Sequence, residues 1–163
     1  GVGSGRFSGP LSIDFGLDPS RKMIHMAEKR GTEVVRGVGE KMPFREGAFQ
    51  FVLIVTTICF FDDPLKALQE TARVLEPNDK VIVGFIDRDS QVGKIYQKKK
   101  EENGFYRDAD FFTVEEVSDL LKKVGFSDLS FFQTIFGDLN KMKAEKPKKG
   151  YREGSFVVVE GSK

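Results

Sequence analysis

The sequence predicts a single domain with a three-layer α/β fold, in which a mostly parallel sheet carries an antiparallel hairpin at its C-terminal edge. Two observations predict this fold. Strand patterns alternate with helix patterns along most of the chain, and the last two strand patterns follow each other with only a polar loop between them. With 163 residues the chain is long enough to bury one core of this kind, so residues 1–163 are interpreted as one domain.

The first half of the chain contains three strand patterns and one helix pattern. The stretch SIDFGLD alternates apolar residues with polar or small ones, which predicts a short strand ending at Asp18. Ser20 offers an N-cap for a helix that ends at Gly31, and TEVVRG predicts a second strand. The run from Phe49 to Ile58 is almost continuously apolar and β-branched, as in a strand that is covered on both faces.

The second half contains three helix patterns. The stretch DDPLKALQETARVLEP has apolar residues at helical spacing, and Pro77 ends it. A Lys-rich helical pattern covers residues 90–103. Thr113 and Glu116 have the spacing of a capping box, which predicts the start of a helix that ends at Gly125.

Three further strand patterns complete the chain. NDKVIVGFID predicts a strand that follows a tight turn at Asn78 and Asp79. FSDLSFFQTIF and GSFVVVEG predict the two strands of the terminal hairpin. The residues between them, 137–153, are mostly charged or turn-forming and predict a long hairpin loop.

Composition and charge restrict the function classes. The chain has 26 basic and 25 acidic residues, so no overall field attracts nucleic acid or an anionic membrane, and a small, roughly neutral partner is expected. Cys59 is the only cysteine, which excludes an internal disulfide, and His25 is the only histidine, so no metal site is predicted. No signal peptide and no long apolar run is present, and a soluble cytoplasmic protein is expected.

The chain begins with GVGSGRF, a turn in which Gly1, Gly3 and Gly5 alternate with other residues. Glycine suits a turn whose backbone takes positive φ angles and approaches a ligand closely. Arg6 stands where the dinucleotide fingerprint GxGxxG has its third glycine, which disfavours a diphosphate ligand. The alternative interpretation is a flexible or tag-derived start of the chain.

Asp18 is expected at the end of the next strand, where open α/β sheets bind ligands. A carboxylate at this position accepts hydrogen bonds from both hydroxyls of a ribose. The alternative is an N-cap or turn aspartate before Pro19. Together, the glycine turn and Asp18 favour an adenosine-type ligand.

The chain resembles the class I S-adenosylmethionine-dependent methyltransferases that act on small molecules. GVGSGRF resembles their glycine motif and GLDPS their acidic-loop motif, and EKMPF, FQFVLIV, DDPLKALQE and ARVLEP follow in the family's order and spacing. The resemblance implies a Rossmann-like sheet, S-adenosylmethionine as cofactor and methyl transfer by in-line displacement, which needs no covalent intermediate. It also implies that a first strand and the helix before it are missing from this chain.

The resemblance assigns cofactor-binding residues by position. The glycine turn would lie under the methionine part, Asp18 at the ribose, and the next two residues near the adenine. The loop after the second predicted strand would also face the adenine, and Val38 there replaces an Asp that many relatives use. The expected cofactor-binding set is Gly1, Gly3, Gly5, Asp18, Pro19, Ser20, Val38, Gly39, Glu40, Val55 and Thr56.

The acceptor side is less defined, and no catalytic residue is assigned. Phe60, Asp87 and Tyr106 are weak candidates for substrate binding, with Asp87, Asp89 and Tyr106 as potential general bases. The aspartates also suit an ordinary turn, and Tyr106 equally suits a cap on the core. A non-catalytic S-adenosylmethionine-binding module is the alternative function. A nucleic-acid methyltransferase is disfavoured because the [ND]PPY motif and a basic groove pattern are missing from the sequence.

Overall fold

A computed structural model of the protein describes residues 1–102, 104, 106–137, 139 and 145–163. The described strands form a two-stranded sheet and a five-stranded sheet. Their bounds are β1 (Phe15–Asp18), β2 (Glu33–Arg36), β3 (Phe49–Val55), β4 (Leu75–Ile86), β5 (Ser127–Thr134), β6 (Lys148–Lys149) and β7 (Phe156–Ser162).

Parallel and antiparallel pairing divide between the two halves of the chain. The strands β1 and β2 pair in parallel, as do β3 and β4. The five-stranded sheet has the order β3-β4-β7-β5-β6, and every pair from β4 onward is antiparallel. The predicted α/β fold, with parallel strands and an antiparallel C-terminal edge, is therefore confirmed. Because β7 lies between β4 and β5, the last strand of the hairpin is the one that meets the parallel strands.

Each of the four described α-helices begins at a side-chain cap. The caps are Ser20, Asp63, Ser90 and Thr113, whose side-chain oxygens accept a hydrogen bond from a backbone N–H in the first turn. The helices are α1 (Arg21–Glu28), α2 (Pro64–Val74), α3 (Gln91–Lys98) and α4 (Val114–Lys123). The helix α1 packs against β1 and β2, whereas α2 and α4 pack against each other and against the five-stranded sheet.

The hydrophobic core lies between the five-stranded sheet and the helices α2 and α4. Burying these apolar side chains is the main stabilising contribution in a domain of this size. Its fully buried members include Leu68, Leu75, Val81, Val83, Val117, Leu121, Val157 and Val159.

Some element boundaries differ from the prediction. The strand β3 ends at Val55 instead of Ile58, because Thr56 has a φ of 50° and turns the chain away from the sheet. The helix predicted over residues 90–103 is limited to α3. In the predicted hairpin loop, residues 138 and 140–144 lie outside the described residues, and Lys148–Lys149 form the short strand β6.

None of the helices formed by the described residues combines the length and the hydropathy that a membrane crossing requires. Within the same residues, no group of three or more His, Cys, Asp or Glu side chains is arranged to hold a metal ion.

Candidate cofactor and acceptor site

Asp18 is a buried carboxylate at the carboxyl end of β1, with 6% of its surface exposed. Its Oδ2 accepts a hydrogen bond of 2.8 Å from the backbone N–H of Gly3, and its Oδ1 accepts one of 2.9 Å from that of Ser20. The carboxylate therefore joins the glycine turn to the start of α1. Each oxygen keeps a free acceptor site, which is what two ribose hydroxyls require.

The glycine turn contains two residues in the left-handed region, Gly3 with φ +56° and Gly5 with φ +76°. A Cβ added at Gly3 would meet no atom within 4 Å, so the space over this part of the turn is open. A Cβ at Gly5 would lie 2.9 Å from the Cα of Ala27, so Gly5 allows the turn to pack against α1. The turn thus has an open side at Gly3, where a ligand has room, and a packed side at Gly5.

The turn also contacts the end of β3. The hydroxyl of Thr57 lies 3.0 Å from the carbonyl oxygen of Gly1 and 2.9 Å from that of Val55, and its hydrogen serves one of these acceptors at a time. The Thr56 hydroxyl donates to the same Val55 carbonyl at 2.8 Å. Gly1, Val55 and Thr56, three of the predicted cofactor-binding residues, therefore lie together, and Thr57 connects them.

The loop after β2 presents the residues expected near the adenine. Val38 is 46% exposed and forms an isolated bridge with Lys41, whereas a Cβ at Gly39 would lie 2.6 Å from the ring of Phe61. The carboxylate of Glu40 accepts hydrogen bonds from the backbone N–H groups of Asp62 and Asp63. Glu40 thus holds the turn before α2, while Val38 offers an exposed apolar surface.

A cavity lined mainly by aromatic rings begins at Thr56. We call it the aromatic cavity; it has about 20 Å³ of free volume, room for about one water molecule, and is partly open to solvent. Among the described residues that line it, none is Asp, Glu, Lys, Arg or His. They are Thr56, Ile58, Cys59, Phe85, Ile86, Tyr96, Tyr106, Phe111 and Phe112.

Two groups in the aromatic cavity are held in their protonated form. Burial raises the pKa of the Cys59 thiol to about 11. Burial, together with the neighbouring Tyr96 and Cys59, also raises the pKa of Tyr106. At neutral pH the thiol and the phenol are therefore uncharged, and the cavity surface that they form is neutral.

Backbone contacts at the end of β4 position the walls of the aromatic cavity. A Cβ at Gly93 would lie 2.1 Å from the carbonyl oxygen of Asp87, so only glycine lets α3 approach β4 this closely. The N–H of Arg88 donates to Phe112 O at 2.9 Å, and its guanidinium donates to Phe111 O at 3.2 Å and to Glu116 at 2.8 Å. Arg88 therefore connects the segment that carries the rings of Phe111 and Phe112 to the start of α4.

Of the three weak substrate candidates, Phe60 and Tyr106 lie together, whereas Asp87 lies elsewhere. Tyr106 lines the aromatic cavity, and Phe60 stacks against Tyr106 with ring centroids 6.4 Å apart. Asp87 and Asp89 line a different cavity, whose wall includes Glu115 and Glu153. Burial and the carboxylates of Asp89 and Glu115 raise the pKa of Asp87.

Sequence reasoning missed Thr57 and Tyr96. The pair Thr56–Thr57 directly after an apolar strand was a usable signal, because hydroxyls at a strand end often bind backbone carbonyls or ligands. Tyr96 lies on a helical pattern that gave no indication of which face meets the cavity. Its contact with Tyr106 depends on how α3 packs.

Comparisons with known proteins identify the family. A profile described as a methyltransferase domain matches residues 1–83, just over half of the 163 residues. Over its whole length the chain is 44% identical to an uncharacterized protein of Methanocaldococcus jannaschii, of which it covers 80%. The chain belongs to the methyltransferase-domain family.

Further relatives of this methyltransferase agree with the family. A solved structure from Thermotoga maritima is described as a SAM-dependent methyltransferase and "possible histamine N-methyltransferase"; it is 45% identical, has a TM-score of 0.97, and is matched over 99% of this chain and 79% of that one. A demethylmenaquinone methyltransferase of Lactococcus lactis is 25% identical over 90% of this chain and 69% of its own length.

These findings confirm three predictions for the methyltransferase: membership of the class I S-adenosylmethionine-dependent group, a Rossmann-like fold, and S-adenosylmethionine as the cofactor. None of the comparisons assigns a role to an individual residue. The cofactor-binding residues, the acceptor and the catalytic groups therefore stay predictions.

Proposed function

We propose that this methyltransferase transfers a methyl group by in-line displacement to a small-molecule acceptor that binds at the open side of the aromatic cavity. The observation that carries the proposal is that two adjacent residues after β3 contact the glycine turn and the aromatic cavity. Thr57 contacts the glycine turn at Gly1, and the adjacent Thr56 lines the aromatic cavity. A donor held by the turn and an acceptor at the open side of the cavity would therefore meet beside these two threonines.

The chain's own residues fit the cofactor at the ribose and at the turn. Asp18 is fixed by two backbone N–H groups, so its orientation is set before any ligand binds. Gly3 leaves open space where the amino-acid part of the donor would lie. Pro19 and Ser20 follow Asp18 directly, and the exposed Val38 offers apolar contact to an adenine, in place of a side-chain hydrogen bond.

When bound, S-adenosylmethionine supplies a methyl group on a sulfonium: the acceptor atom gains the methyl, the carbon–sulfur electron pair stays on sulfur, and the acceptor's proton goes to water. The residues of the aromatic cavity would orient the acceptor and exclude bulk water from it. Cys59 and Tyr106 stay protonated at neutral pH, so they would provide surface and not a base.

The test begins with calorimetry of S-adenosylmethionine binding to the wild type and to Asp18→Ala. We expect the substitution to weaken binding by about 1–3 kcal/mol, because charge-assisted hydrogen bonds to the ribose are lost. Asp14→Ala is the matched control, since Asp14 is an exposed carboxylate just before the same strand. Equal affinities of the three proteins for S-adenosylmethionine would show that Asp18 does not bind the cofactor.

A methyl-transfer assay over a panel of small acceptors then tests catalysis. Histamine belongs in the panel because of the description of the Thermotoga maritima relative. Turnover of any acceptor supports the proposal. Tight cofactor binding with no turnover over a broad panel would instead favour the non-catalytic binding module.

A further inference from the structure

The peptide unit between Gly3 and Ser4 lies in the middle of the glycine turn, and the structure holds the chain on both sides of it. On one side, the Gly3 N–H donates to Asp18 Oδ2 at 2.8 Å. On the other side, the Ser4 carbonyl oxygen accepts a hydrogen bond of 2.7 Å from Nη1 of Arg30. Side chains from the end of β1 and from just after α1 therefore fix the two neighbouring peptide units.

The Gly3–Ser4 unit itself keeps its polar groups available. Within the part of the chain that the structure describes, neither the Gly3 carbonyl oxygen nor the Ser4 N–H has a hydrogen-bond partner. The next N–H along the chain, that of Gly5, donates to Val2 O at 3.2 Å. Because the space over Gly3 is open, the turn offers one free backbone acceptor and one free backbone donor beside that space.

Arg30 connects the turn to α1 across 26 positions of the sequence. Its Nη1 also donates to Met26 O at 3.3 Å, and Nη1 carries two hydrogens, so both contacts form together. The backbone of Arg30 lies against the same segment, since a Cβ added at Gly9 would be 3.4 Å from Arg30 O. Arg30 is therefore anchored on α1 when it holds the Ser4 carbonyl.

The turn needs such a restraint because Ser4 stands between two glycines. Gly3 and Gly5 have more backbone freedom than any other residue type, so the peptide units around Ser4 would rotate easily without an external contact. The amino-acid end of S-adenosylmethionine carries an ammonium, which only donates hydrogen bonds, and a carboxylate, which only accepts them. A peptide unit binds such groups well only when its direction is set in advance.

We propose that Arg30 is a positioning residue for S-adenosylmethionine: by holding the Ser4 carbonyl, it sets the direction of the Gly3–Ser4 peptide that receives the amino-acid end of the donor. The inference rests on the placement of the donor in the proposed function. Arg30 acts through Ser4 and does not itself touch the donor. Lys29 is exposed at the same end of α1, but its side chain makes no contact with the described residues, so it provides the matched control.

Calorimetry with two ligands tests this role. S-adenosylhomocysteine contains the amino-acid end, whereas 5′-methylthioadenosine keeps the adenosine and the thioether but lacks that end. We expect Arg30→Ala to weaken S-adenosylhomocysteine about three- to ten-fold and to change 5′-methylthioadenosine by less than about two-fold. Arg30→Lys should restore most of the affinity, because an ammonium also donates to a carbonyl, and Lys29→Ala should change neither ligand.

The ratio of the two affinities is measured on one sample, so a partly unfolded fraction lowers both affinities equally and leaves the ratio unchanged. Equal weakening of both ligands in Arg30→Ala, or weakening of neither, would overturn the role of Arg30. The same effect in Lys29→Ala would overturn it too, because a lost positive charge would then explain the result.

Asp18→Ala distinguishes this failure from failure of the proposed function. Both ligands contain the ribose, so the variant should weaken both of them. If Asp18→Ala weakens neither ligand, the placement of the donor in the proposed function is wrong. If Asp18→Ala weakens both ligands and Arg30→Ala leaves their ratio at the wild-type value, only the positioning role of Arg30 is wrong.

Discussion

Gly3 and Gly5 have the same left-handed backbone but different surroundings, and this difference predicts different effects of the same substitution. A non-glycine residue in this conformation costs roughly 1 kcal/mol. Gly3→Ala should lower stability by about this amount and also weaken cofactor binding, because its Cβ enters the open space over the turn. Gly5→Ala also places its Cβ only 2.9 Å from the Cα of Ala27, closer than van der Waals contact, and should lower stability by about 2 kcal/mol or more.

Urea unfolding and calorimetry of cofactor binding on both variants check this pair. The two glycines serve as controls for each other because they lie in one turn. If Gly3→Ala binds the cofactor as tightly as the wild type, the open space over Gly3 does not hold the ligand.

We expect the Cys59 thiol to react slowly with alkylating reagents in the folded protein. Only the thiolate reacts with iodoacetamide, and a pKa of about 11 leaves roughly one thiolate in a thousand at pH 8. We expect alkylation of the folded protein at pH 8 to be at least about a hundred-fold slower than in urea, where the thiol is exposed, and to accelerate toward pH 11. Mass spectrometry of timed samples gives the rates; similar rates in the folded and the unfolded protein would contradict the assigned burial.

Among the elements, the start of α4 is joined to the residues just before it by Arg88. Its guanidinium contacts Phe111 O and Glu116, and its backbone N–H contacts Phe112 O. Arg88→Lys keeps the charge but loses the forked geometry, so it should loosen the segment that carries Phe111 and Phe112. We expect a several-fold higher KM for a methyl acceptor found in the panel assay, with the affinity for S-adenosylhomocysteine unchanged.

Methyl-transfer kinetics for the acceptor and calorimetry with S-adenosylhomocysteine measure this separation of acceptor and cofactor binding. Arg107→Lys is the matched control, because Arg107 is an exposed arginine of the same segment, and its ion pair with Asp108, at 3.6 Å, is a surface contact. Equal loss of both affinities in Arg88→Lys would indicate general destabilisation and not a positioning role.

Local chemistry decided which elements the sequence could predict. Ser20 and Thr113 mark helix starts because their side chains satisfy backbone N–H groups of the first turn, and such signals are local. The end of β3 was misplaced because Ile58 is apolar and buried in a short 3₁₀ turn as well as it would be in a strand. The strand β6 depends on a pairing with β5 across a long separation, which no local pattern encodes.

In the candidate site, too, some residues could be located from the sequence, whereas contacts between distant loops could not. Asp18 could be located from sequence because its place at a strand end follows from the alternation of strands and helices. The role of Glu40 at the turn before α2, and the separation of Asp87 from Tyr106, depend on which surfaces the loops meet. Those contacts result from tertiary packing.

At the scale of the whole molecule, an ion pair on α2 connects this helix to the chain segment that leads into β3, through hydrogen bonds to the backbone of that segment. Arg73 binds Glu70 through two hydrogen bonds of 2.6 and 2.8 Å and also donates to the carbonyl oxygens of Met42 and Phe44. Glu70 in turn accepts a hydrogen bond from Met42 N–H. This group therefore fixes the approach of β3, whose far end carries Thr56 and Thr57.

The same ion pair predicts how stability depends on pH. The hydrogen bond from Arg73 holds the pKa of Glu70 below its usual value of 4.5, and the Met42 N–H adds to this effect against the opposing effect of burial. A carboxyl whose pKa is lower in the folded state contributes stability above its unfolded pKa, and this contribution is lost as the pH falls through the folded value. We therefore expect the contribution of Glu70 to the free energy of unfolding to be constant from pH 7 to about pH 5. The contribution should decrease once the pH is below about 4.5.

Urea unfolding of the wild type and of Glu70→Gln at pH 7, 5, 4 and 3 measures that part directly. The variant should be less stable at pH 7, and the difference should shrink toward pH 3, because the wild-type carboxyl becomes protonated there while the amide does not titrate. Glu33→Gln, an exposed glutamate on β2, is the control for a general effect of removing a carboxylate. A stability difference between wild type and Glu70→Gln that stays the same at all four pH values would show that Glu70 acts through its shape, because a contribution from its charge must disappear in acid.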